Sequence, residues 1–193
     1  MQGACVKIDF QFLTDLCRRI RLVMPNAIIG GGAPRDVFLG GNVKDIDVFV
    51  QCQEQHFGEL CGKLAYQLKG TIESSAEYVH APSYNIRIPG LTQELNVVLR
   101  EDVSPLMDVG DYDFGISQIA VDGLSIIRTA AQQKDVADNT ITYMHANQDR
   151  PDWHVKSSAN RLVRILAKYP SLKPVNCEKL QAVLDDAKVV ASF

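Results

Sequence analysis

A run of three glycines between an apolar segment and a proline constrains the fold of this chain more than any other feature. Gly30-Gly31-Gly32 follows Ala27-Ile28-Ile29 and precedes Ala33-Pro34. The apolar segment predicts a short buried strand, and a proline suits the first turn of a helix. Adjacent glycines allow a sharp turn and leave backbone amides open to a phosphate. The sequence therefore predicts a strand, a glycine turn and a helix, with a candidate phosphate site at the turn.

Two aspartates follow this helix, after the glycine pair Gly40-Gly41 that ends it. Residues 45–51 predict a strand with apolar residues on one face, and Asp45 and Asp47 share the other face because side chains alternate. Two like charges this close repel unless a cation lies between them. Hard oxygen ligands of this kind suit Mg²⁺. Either motif alone is common in structural roles, but together they indicate binding of a metal and a triphosphate.

The composition limits the classes of protein that this chain can belong to. The chain has 193 residues and a net charge of -3, which argues against tight, sequence-independent binding to long nucleic acids. Its five cysteines are an odd number without CxxC spacing, which favours reduced thiols over a zinc site. We expect no signal peptide and no membrane span, and therefore a cytoplasmic protein. The oligomeric state is not indicated.

The order of the predicted elements indicates an α+β fold with a small mixed β-sheet flanked by helices. Amphipathic periodicity predicts helices over residues 8–24 and 54–68. Three further strands are predicted over residues 71–79, 84–88 and 93–99, with turns at Pro82-Ser83 and Pro89-Gly90 between them.

The second half of the chain predicts fewer strands and ends in helices. We expect an acidic loop over 101–112, a helix turn or strand over 114–120, and a tight turn at Asp122-Gly123. Residues 145–155 are polar and predict a linker or mobile loop. Helices are predicted over 156–168 and 176–189. We therefore predict two domains, a catalytic core of residues 1–150 and a short helical tail of residues 151–193.

The glycine and aspartate motifs together resemble those of the polymerase-β-like nucleotidyltransferase superfamily. Residues 31–36 read GGAPRD, and Lys44-Asp45-Ile46-Asp47 follows without a gap. This pattern is similar to the GGAVRD and KDID motifs of the class II branch, which contains CCA-adding enzymes and bacterial poly(A) polymerases. The resemblance implies the nucleotidyltransferase head fold, here with a short helical tail.

Two later segments extend the resemblance as an order of motifs to about residue 168. Asp113-Phe114, followed by Asp122-Gly123, is similar to the family's RRDFTINALAYD segment, although Asp111-Tyr112 replaces the arginine pair. Residues 157–164 resemble the EDxxRxxR helix, in which polar groups contact the incoming base. Two serines replace its acidic pair here.

The resemblance implies roles for specific residues. Asp45 and Asp47 would be catalytic and would hold Mg²⁺ or Mn²⁺. A third carboxylate often comes from a later strand, where Glu94 and Asn96 share a face; Asn96 fits the position better but cannot act as a base. The implied nucleotide-binding residues are Gly31, Gly32, Arg35, Asp113, Arg161 and Arg164.

The function that the resemblance implies is metal-dependent nucleotidyl transfer. NMP would move from an NTP to a hydroxyl of an RNA 3′ end such as that of tRNA, of a protein or of a small molecule, and pyrophosphate would leave. Asn96 and the missing acidic pair favour an alternative, a catalytically weakened nucleotide-binding or regulatory protein. A toxin-like transferase that acts on tRNA is a further alternative.

Several other residues allow a functional or a structural interpretation. His145 and His154 flank the polar segment and could contact substrate, although a solvated loop is the simpler interpretation. Trp153 could stack on a base or anchor the tail in the core.

Overall fold

The computed structural model of the protein describes residues 6–78 and 81–190. The helices are α1 (Phe10–Arg21), α2 (Gly32–Phe38), α3 (Glu54–Leu68), α4 (Pro105–Asp108), α5 (Ala130–Asp138), α6 (Asp152–Lys168) and α7 (Glu178–Val190). The strands are β1 (Ile28–Gly30), β2 (Asp45–Val50), β3 (Thr71–Tyr78), β4 (Ala81–Arg87), β5 (Glu94–Leu99), β6 (Ile119–Val121), β7 (Ile126–Arg128), β8 (Thr140–Thr142) and β9 (Lys173–Val175). Short 3₁₀ turns span Val109–Asp111 and Gly115–Ser117.

Seven strands form one mixed sheet in the order β3-β4-β5-β2-β1-β6-β7. The β2–β5 pair is parallel, and the other neighbours are antiparallel. Strands β8 and β9 form a separate parallel pair. The predicted α+β fold with a mixed sheet and flanking helices is confirmed, and the predicted tail, residues 151–193, contains β9 in addition to its helices.

Helices α1 and α3 cover one face of the large sheet. Their apolar stripes bury Leu13, Ile20, Phe57 and Leu64 in one core with the alternate apolar residues of β2 and β5. Each such side chain contributes about 1.5–3 kcal/mol on burial. Because strand side chains alternate, this core forces the other residues of β2 and β5 onto the opposite face.

The chain divides into two compact units. The first comprises residues 1–110 and 118–128, and the second comprises residues 111–117 and 129–193. The boundary that we predicted between residues 150 and 151 falls inside the second unit, and as a division of function it stays a prediction. None of the helices in the part of the chain that the structure describes is long and apolar enough to cross a membrane.

The predicted turn at Pro82-Ser83 is wrong, because both residues lie within β4. Pro82 pairs with β3, whereas the pairing of β4 with β5 begins only at Ser83. A proline is tolerated there because no hydrogen bond to β5 is required of it. The strand predicted over 71–79 ends in residue 79, which lies outside the described residues.

The second unit contains elements that the sequence pattern did not predict. Helix α6 begins at Asp152, so the linker predicted over 145–155 is helical in its last part. Helix α5 and strands β8 and β9 were not predicted, and β9, which contains Pro174, lies between the two predicted helices. The acidic loop predicted over 101–112 likewise contains α4, whose first residue is Pro105.

The cysteine side chains are free thiols wherever the structure describes them. Cys17, Cys61 and Cys177 are buried, and Cys52 is half-buried. Burial raises the pKa of Cys17 to about 11 and that of Cys61 to about 12, so both are neutral at physiological pH. Cys5 lies outside the described residues.

Candidate active site

The glycine turn connects β1 to α2 and requires glycine at one position. Gly31 has φ of 69°, in the region where other residues are strained. A Cβ added at Gly31 would meet nothing within 4 Å, and one at Gly32 would meet only Arg35 Nη2, at 3.9 Å. The space over the turn is therefore open, as a phosphate site requires. Ile29 pairs with Val48 in the antiparallel β1–β2 ladder, so one further step along the same register brings Gly30 to the level of Asp47.

Asp45 and Asp47 lie on the face of β2 opposite the apolar core, as predicted. Ile46 and Val48 are fully buried on the core side, while both aspartates are only partly buried. The Asp45 side chain is 49% exposed, and Lys44 Nζ lies 3.8 Å from its Oδ2. Both carboxylates can therefore meet a ligand from solvent beside the glycine turn.

The parallel register of β2 with β5 brings the two candidates for the third position next to the aspartates. Asp45 pairs with Glu94, and Asp47 pairs with Asn96. Asn96 Nδ2 donates a hydrogen bond to Asp47 Oδ1 at 3.0 Å. Glu94 Oε1 lies 3.4 Å from Arg87 Nη2. The amide therefore orients Asp47, and the carboxylate of Glu94 is the group of the two that can accept a proton.

The donor set at this position fits a divalent cation with hard oxygen ligands. Mg²⁺ is commonly held by one or two carboxylates, with water and substrate phosphate completing its shell. Asp45 and Asp47 supply two carboxylates, and Mn²⁺ accepts the same ligand types. No group of three or more His, Cys, Asp or Glu side chains that could hold a metal occurs among residues 6–78 and 81–190.

Arg35 lies in α2, the helix that follows the glycine turn, and pairs with its neighbour in sequence. Its Nε and Nη2 donate to Asp36 Oδ1 at 2.9 and 2.7 Å, and both side chains are largely buried. The adjacent carboxylate therefore holds the Arg35 guanidinium, and direct contact of Arg35 with a phosphate stays a prediction. No sequence pattern predicts the pairing of Asp36 with Arg35, since adjacent residues on a helix do not usually face each other.

The other predicted nucleotide contacts belong to the second unit. Asp113 is buried, and its Oδ2 accepts hydrogen bonds from Ser158 Oγ at 2.9 Å and from Arg161 Nη1 at 2.7 Å. Ser158, one of the two serines that replace the family's acidic pair, therefore donates to the same carboxylate as Arg161. Arg164 is exposed on α6. The nucleotide-binding roles of Asp113, Arg161 and Arg164 stay predictions.

A buried histidine network in the second unit was missed by the sequence analysis. His145 is only 2% exposed, so the solvated-loop interpretation is wrong for this residue. Its Nε2 lies 3.2 Å from Arg150 Nη2 and 3.3 Å from Asp111 Oδ1, and Arg150 also bonds Asp111 at 2.7 Å. Burial lowers the pKa of His145 and of its ring neighbour His154.

Trp153 is 46% exposed at the start of α6, which contradicts its interpretation as a core anchor. Its ring meets that of His154 edge-on, with the centroids 5.6 Å apart. Stacking on a base stays a prediction.

No protein-family model and no curated protein matches the chain. Among solved structures, the chain is similar to an apo form of a tRNA-processing enzyme, with a TM-score of 0.66 and 20% identity over 97% of this chain and 49% of that chain. A Thermotoga maritima CCA-adding enzyme complexed with tRNA gives a TM-score of 0.64 and 16% identity over 93% and 43%. A tRNA nucleotidyltransferase complexed with a primer tRNA and an incoming ATP analog gives 0.57 and 24% over 86% and 47%.

These likenesses confirm the predicted resemblance at the level of the fold. At such identities they establish the nucleotidyltransferase head fold and not the activity. The chain also spans only about half the length of the solved structures that it matches.

Proposed function

We propose that the protein is a metal-dependent nucleotidyltransferase that moves NMP from an NTP to an acceptor hydroxyl. The observation that carries this proposal is the register of β1 with β2, which sets the open glycine turn directly beside Asp47. A site for phosphate oxygens and a site for a hard cation are then neighbours. Triphosphate chemistry needs both.

The residues of the first unit would divide the work as follows. Backbone amides at Gly31 and Gly32 would bind the triphosphate, and Asp45 and Asp47 would hold the divalent ion. When bound, that ion would neutralise phosphate charge and lower the pKa of a coordinated hydroxyl. Asn96 would keep Asp47 oriented through its 3.0 Å hydrogen bond.

In the proposed reaction the acceptor oxygen forms a bond to the α-phosphorus, and the bond from that phosphorus to the β-phosphate oxygen breaks. Pyrophosphate leaves, and the hydroxyl proton passes to a base. Glu94, opposite Asp45 in the parallel register, is the candidate for that base.

The solved neighbours support the choice of substrates. Two of them are complexed with tRNA, one of these also with an ATP analog, and a further CCA-adding enzyme is complexed with CTP. We therefore propose an NTP as one substrate and treat tRNA as one candidate acceptor, beside proteins and small molecules. The free thiols in the described residues support the cytoplasm as the proposed location.

The test is transfer of label from each of the four α-³²P-labelled NTPs, with Mg²⁺, into pools of tRNA, protein and small molecules. We expect label in one pool and none with Asp45→Asn/Asp47→Asn. The matched control Asp15→Asn/Asp138→Asn removes two carboxylates that are about half exposed elsewhere on the surface, and it should behave as the unmodified protein. Absence of both NTP binding and transfer would refute the proposal.

Asn96 favours a second candidate function, a protein that binds the nucleotide and turns it over weakly or not at all. An amide at this position cannot take a proton from the acceptor, and general-base help is typically worth about 10²–10⁴-fold in rate. Metal-dependent NTP binding without transfer to any pool would identify this second function.

A further inference from the structure

The face of the large sheet that carries the two aspartates continues as polar surface across three more strands. We call these residues the polar rows. The first row consists of Asp45, Glu94, Arg87 and Glu73, and the second of Asp47, Asn96, Asn85 and Ser74. Each row crosses β2, β5, β4 and β3 in that order. The proposed metal site is therefore one end of a longer polar surface.

The second row is lined by neutral hydrogen-bonding groups. Asn96 and Asn85 are direct partners in the antiparallel β4–β5 ladder, so their amides are adjacent. Asn85 Nδ2 donates to Ser74 Oγ at 3.1 Å, and Asn96 donates to Asp47. Amides and hydroxyls offer both donors and acceptors, which is the pattern that sugar hydroxyls can match.

The first row contains three carboxylates and one guanidinium, that of Arg87, which pairs with both Glu73 and Glu94. Arg87 binds Glu73 through two nitrogens, the second at 3.0 Å, and lies 3.4 Å from Glu94. The hydrogen bond between Arg87 and Glu73 lowers the pKa of Glu73 and raises the pKa of Arg87, so both side chains stay charged. The three side chains are 38–48% exposed. A phosphate approaching the first row would be repelled by the carboxylates of Glu73 and Glu94. The Arg87 guanidinium, which could attract it, is already paired with both carboxylates.

This distribution of charge disfavours a nucleic-acid strand on the polar rows. Nucleic-acid strands are bound mainly by cationic side chains that neutralise their phosphates, and sites for single strands also provide aromatic side chains on which the bases stack. The rows outside Asp45 and Asp47 offer one shared guanidinium and no aromatic ring. They offer instead carboxylates for ammonium groups and amides for hydroxyls.

We propose that the polar rows are the acceptor site, and that the acceptor is a neutral or cationic polyhydroxylated small molecule of the aminosugar type. This inference rests on the proposed nucleotidyl transfer. One hydroxyl of the sugar would lie at the Asp47 end and become bonded to the α-phosphorus, with release of pyrophosphate and a proton. The remaining hydroxyls would bind Asn96 and Asn85, and an amino group would lie against Glu73 at the far end of the first row, which leaves Glu94 to take the hydroxyl proton.

The test measures binding of matched disaccharides to the full chain by NMR. The probes are a cationic β-1,4-linked glucosamine disaccharide, neutral cellobiose, a disaccharide that contains glucuronic acid, and tRNA. We expect the cationic sugar to bind with a Kd of about 1 mM or tighter, and to bind more tightly than the neutral sugar and both anions. The side-chain amide resonances of Asn85 and Asn96 should shift on binding.

Charge substitutions at Asn85 sharpen the test, because Asn85 lies two strands away from Asp47. Asn85→Asp should strengthen binding of the cationic sugar roughly two- to fivefold, and Asn85→Lys should weaken it by a similar factor. The order should reverse for the glucuronic-acid probe. Asn26→Lys makes the same change of charge in the exposed turn before β1 and should leave the sugar affinities unchanged.

Two outcomes would overturn the inference: no shift of Asn85 or Asn96 with any sugar, or a shift of these resonances with tRNA and not with the cationic sugar. The proposed function is tested separately in the same samples by the Gly31 and Gly32 amide resonances. These should shift when an NTP is added with Mg²⁺. A response at the glycines without one at the asparagines would reject the acceptor site and leave nucleotidyl transfer standing.

Discussion

Two pairs of aspartate and glutamate side chains, one pair in each compact unit, lie in opposite environments. In the first unit Asp45 and Glu94 keep about half of their side-chain surface in solvent, beside an open glycine turn. In the second unit Asp113 and Asp135 are buried, and each accepts several hydrogen bonds from its own unit. Buried charges persist only when the fold satisfies them, whereas solvated ones can exchange water for a ligand.

This difference separates candidate chemistry from architecture. Asp113 is needed by Ser158 and Arg161, so its loss should affect folding first. Asp47 accepts a hydrogen bond from Asn96 at the edge of an open surface, so its loss should affect ligand binding first. The same substitution made in both units therefore tests the distinction.

We expect the largest effect from Asp47→Asn. Removing one of the two proposed metal ligands should lower the rate of the proposed nucleotidyl transfer by about 10³-fold or more, because charge stabilisation at the phosphates would be lost. The melting temperature should stay the same or rise, since one of two repelling carboxylates is gone. The measurements are initial rates and thermal melts. A large fall in stability would place Asp47 among the structural carboxylates and remove the contrast.

Asn96→Asp should act in the opposite direction. A carboxylate beside Asp47 would add a proton acceptor and a third metal ligand, and we expect transfer to rise by up to about 10²-fold. Without metal the variant should be less stable than the unmodified protein, because a third like charge joins the pair.

Addition of Mg²⁺ provides a second readout for Asn96→Asp that does not depend on turnover. It should raise the melting temperature of the variant more than that of the unmodified protein. Asn85→Asp, which adds the same charge one strand further from Asp47, is the matched control and should show the smaller response to Mg²⁺. Equal responses would mean that Asn96 does not lie at the metal position.

Asp113→Asn should produce an intermediate effect on stability. The substitution removes the charge that binds Arg161 and Ser158, at a cost of about 1–3 kcal/mol. For a chain of this length each kcal/mol shifts the melting temperature by about 2–4 °C. Asp149→Asn, on the exposed segment before α6, is the matched control. An unchanged melt combined with weaker NTP binding would place Asp113 with the ligand-binding carboxylates.

The site in the first unit could be largely predicted because its geometry is local. Alternation along β2 fixes which face Asp45 and Asp47 share, and a triple glycine leaves few alternatives to a turn. The same alternation correctly placed Glu94 and Asn96 on one face of β5. Which of the two would lie opposite Asp47 depended on the strand register, and no local pattern specifies the register of a parallel pair.

The networks of the second unit depend on residues far apart in the sequence. Arg150 bonds Asp111 across 39 positions, and Ser158 bonds Asp113 across 45. Single polar residues in turn-rich segments are far more often solvated than buried. The partners that stabilise a buried polar side chain are visible only in three dimensions. The sequence pattern around His145 therefore predicts a solvated loop.

Acid should loosen the second unit before the first. Burial lowers the pKa of His145 and His154, so both are neutral when folded and take up protons more readily when unfolded. Their contribution to stability is complete above about pH 6.5, the ordinary histidine pKa, and is lost as pH falls through the lowered values. The loss is at most about 1.4 kcal/mol per pH unit for each histidine.

The first unit should hold to a lower pH. Burial tends to raise the pKa of Asp122, but hydrogen bonds from the amides of Leu124 and Ser125 hold it below its ordinary value. The contribution of Asp122 to stability is therefore complete above the ordinary aspartate pKa and is lost only as pH falls below it.

Hydrogen exchange measured at pH 7 and 5.5, and corrected for intrinsic rates, tests this difference between the units. At pH 5.5 the amides of α6 and β8 should lose protection, and those of β1 and β2 should keep theirs. His145→Gln should flatten that dependence, and His56→Gln, an exposed histidine on α3, should not. Equal loss of protection in both units would mean that the buried histidines do not set the acid limit, and the contrast between the units would then be confined to their carboxylates.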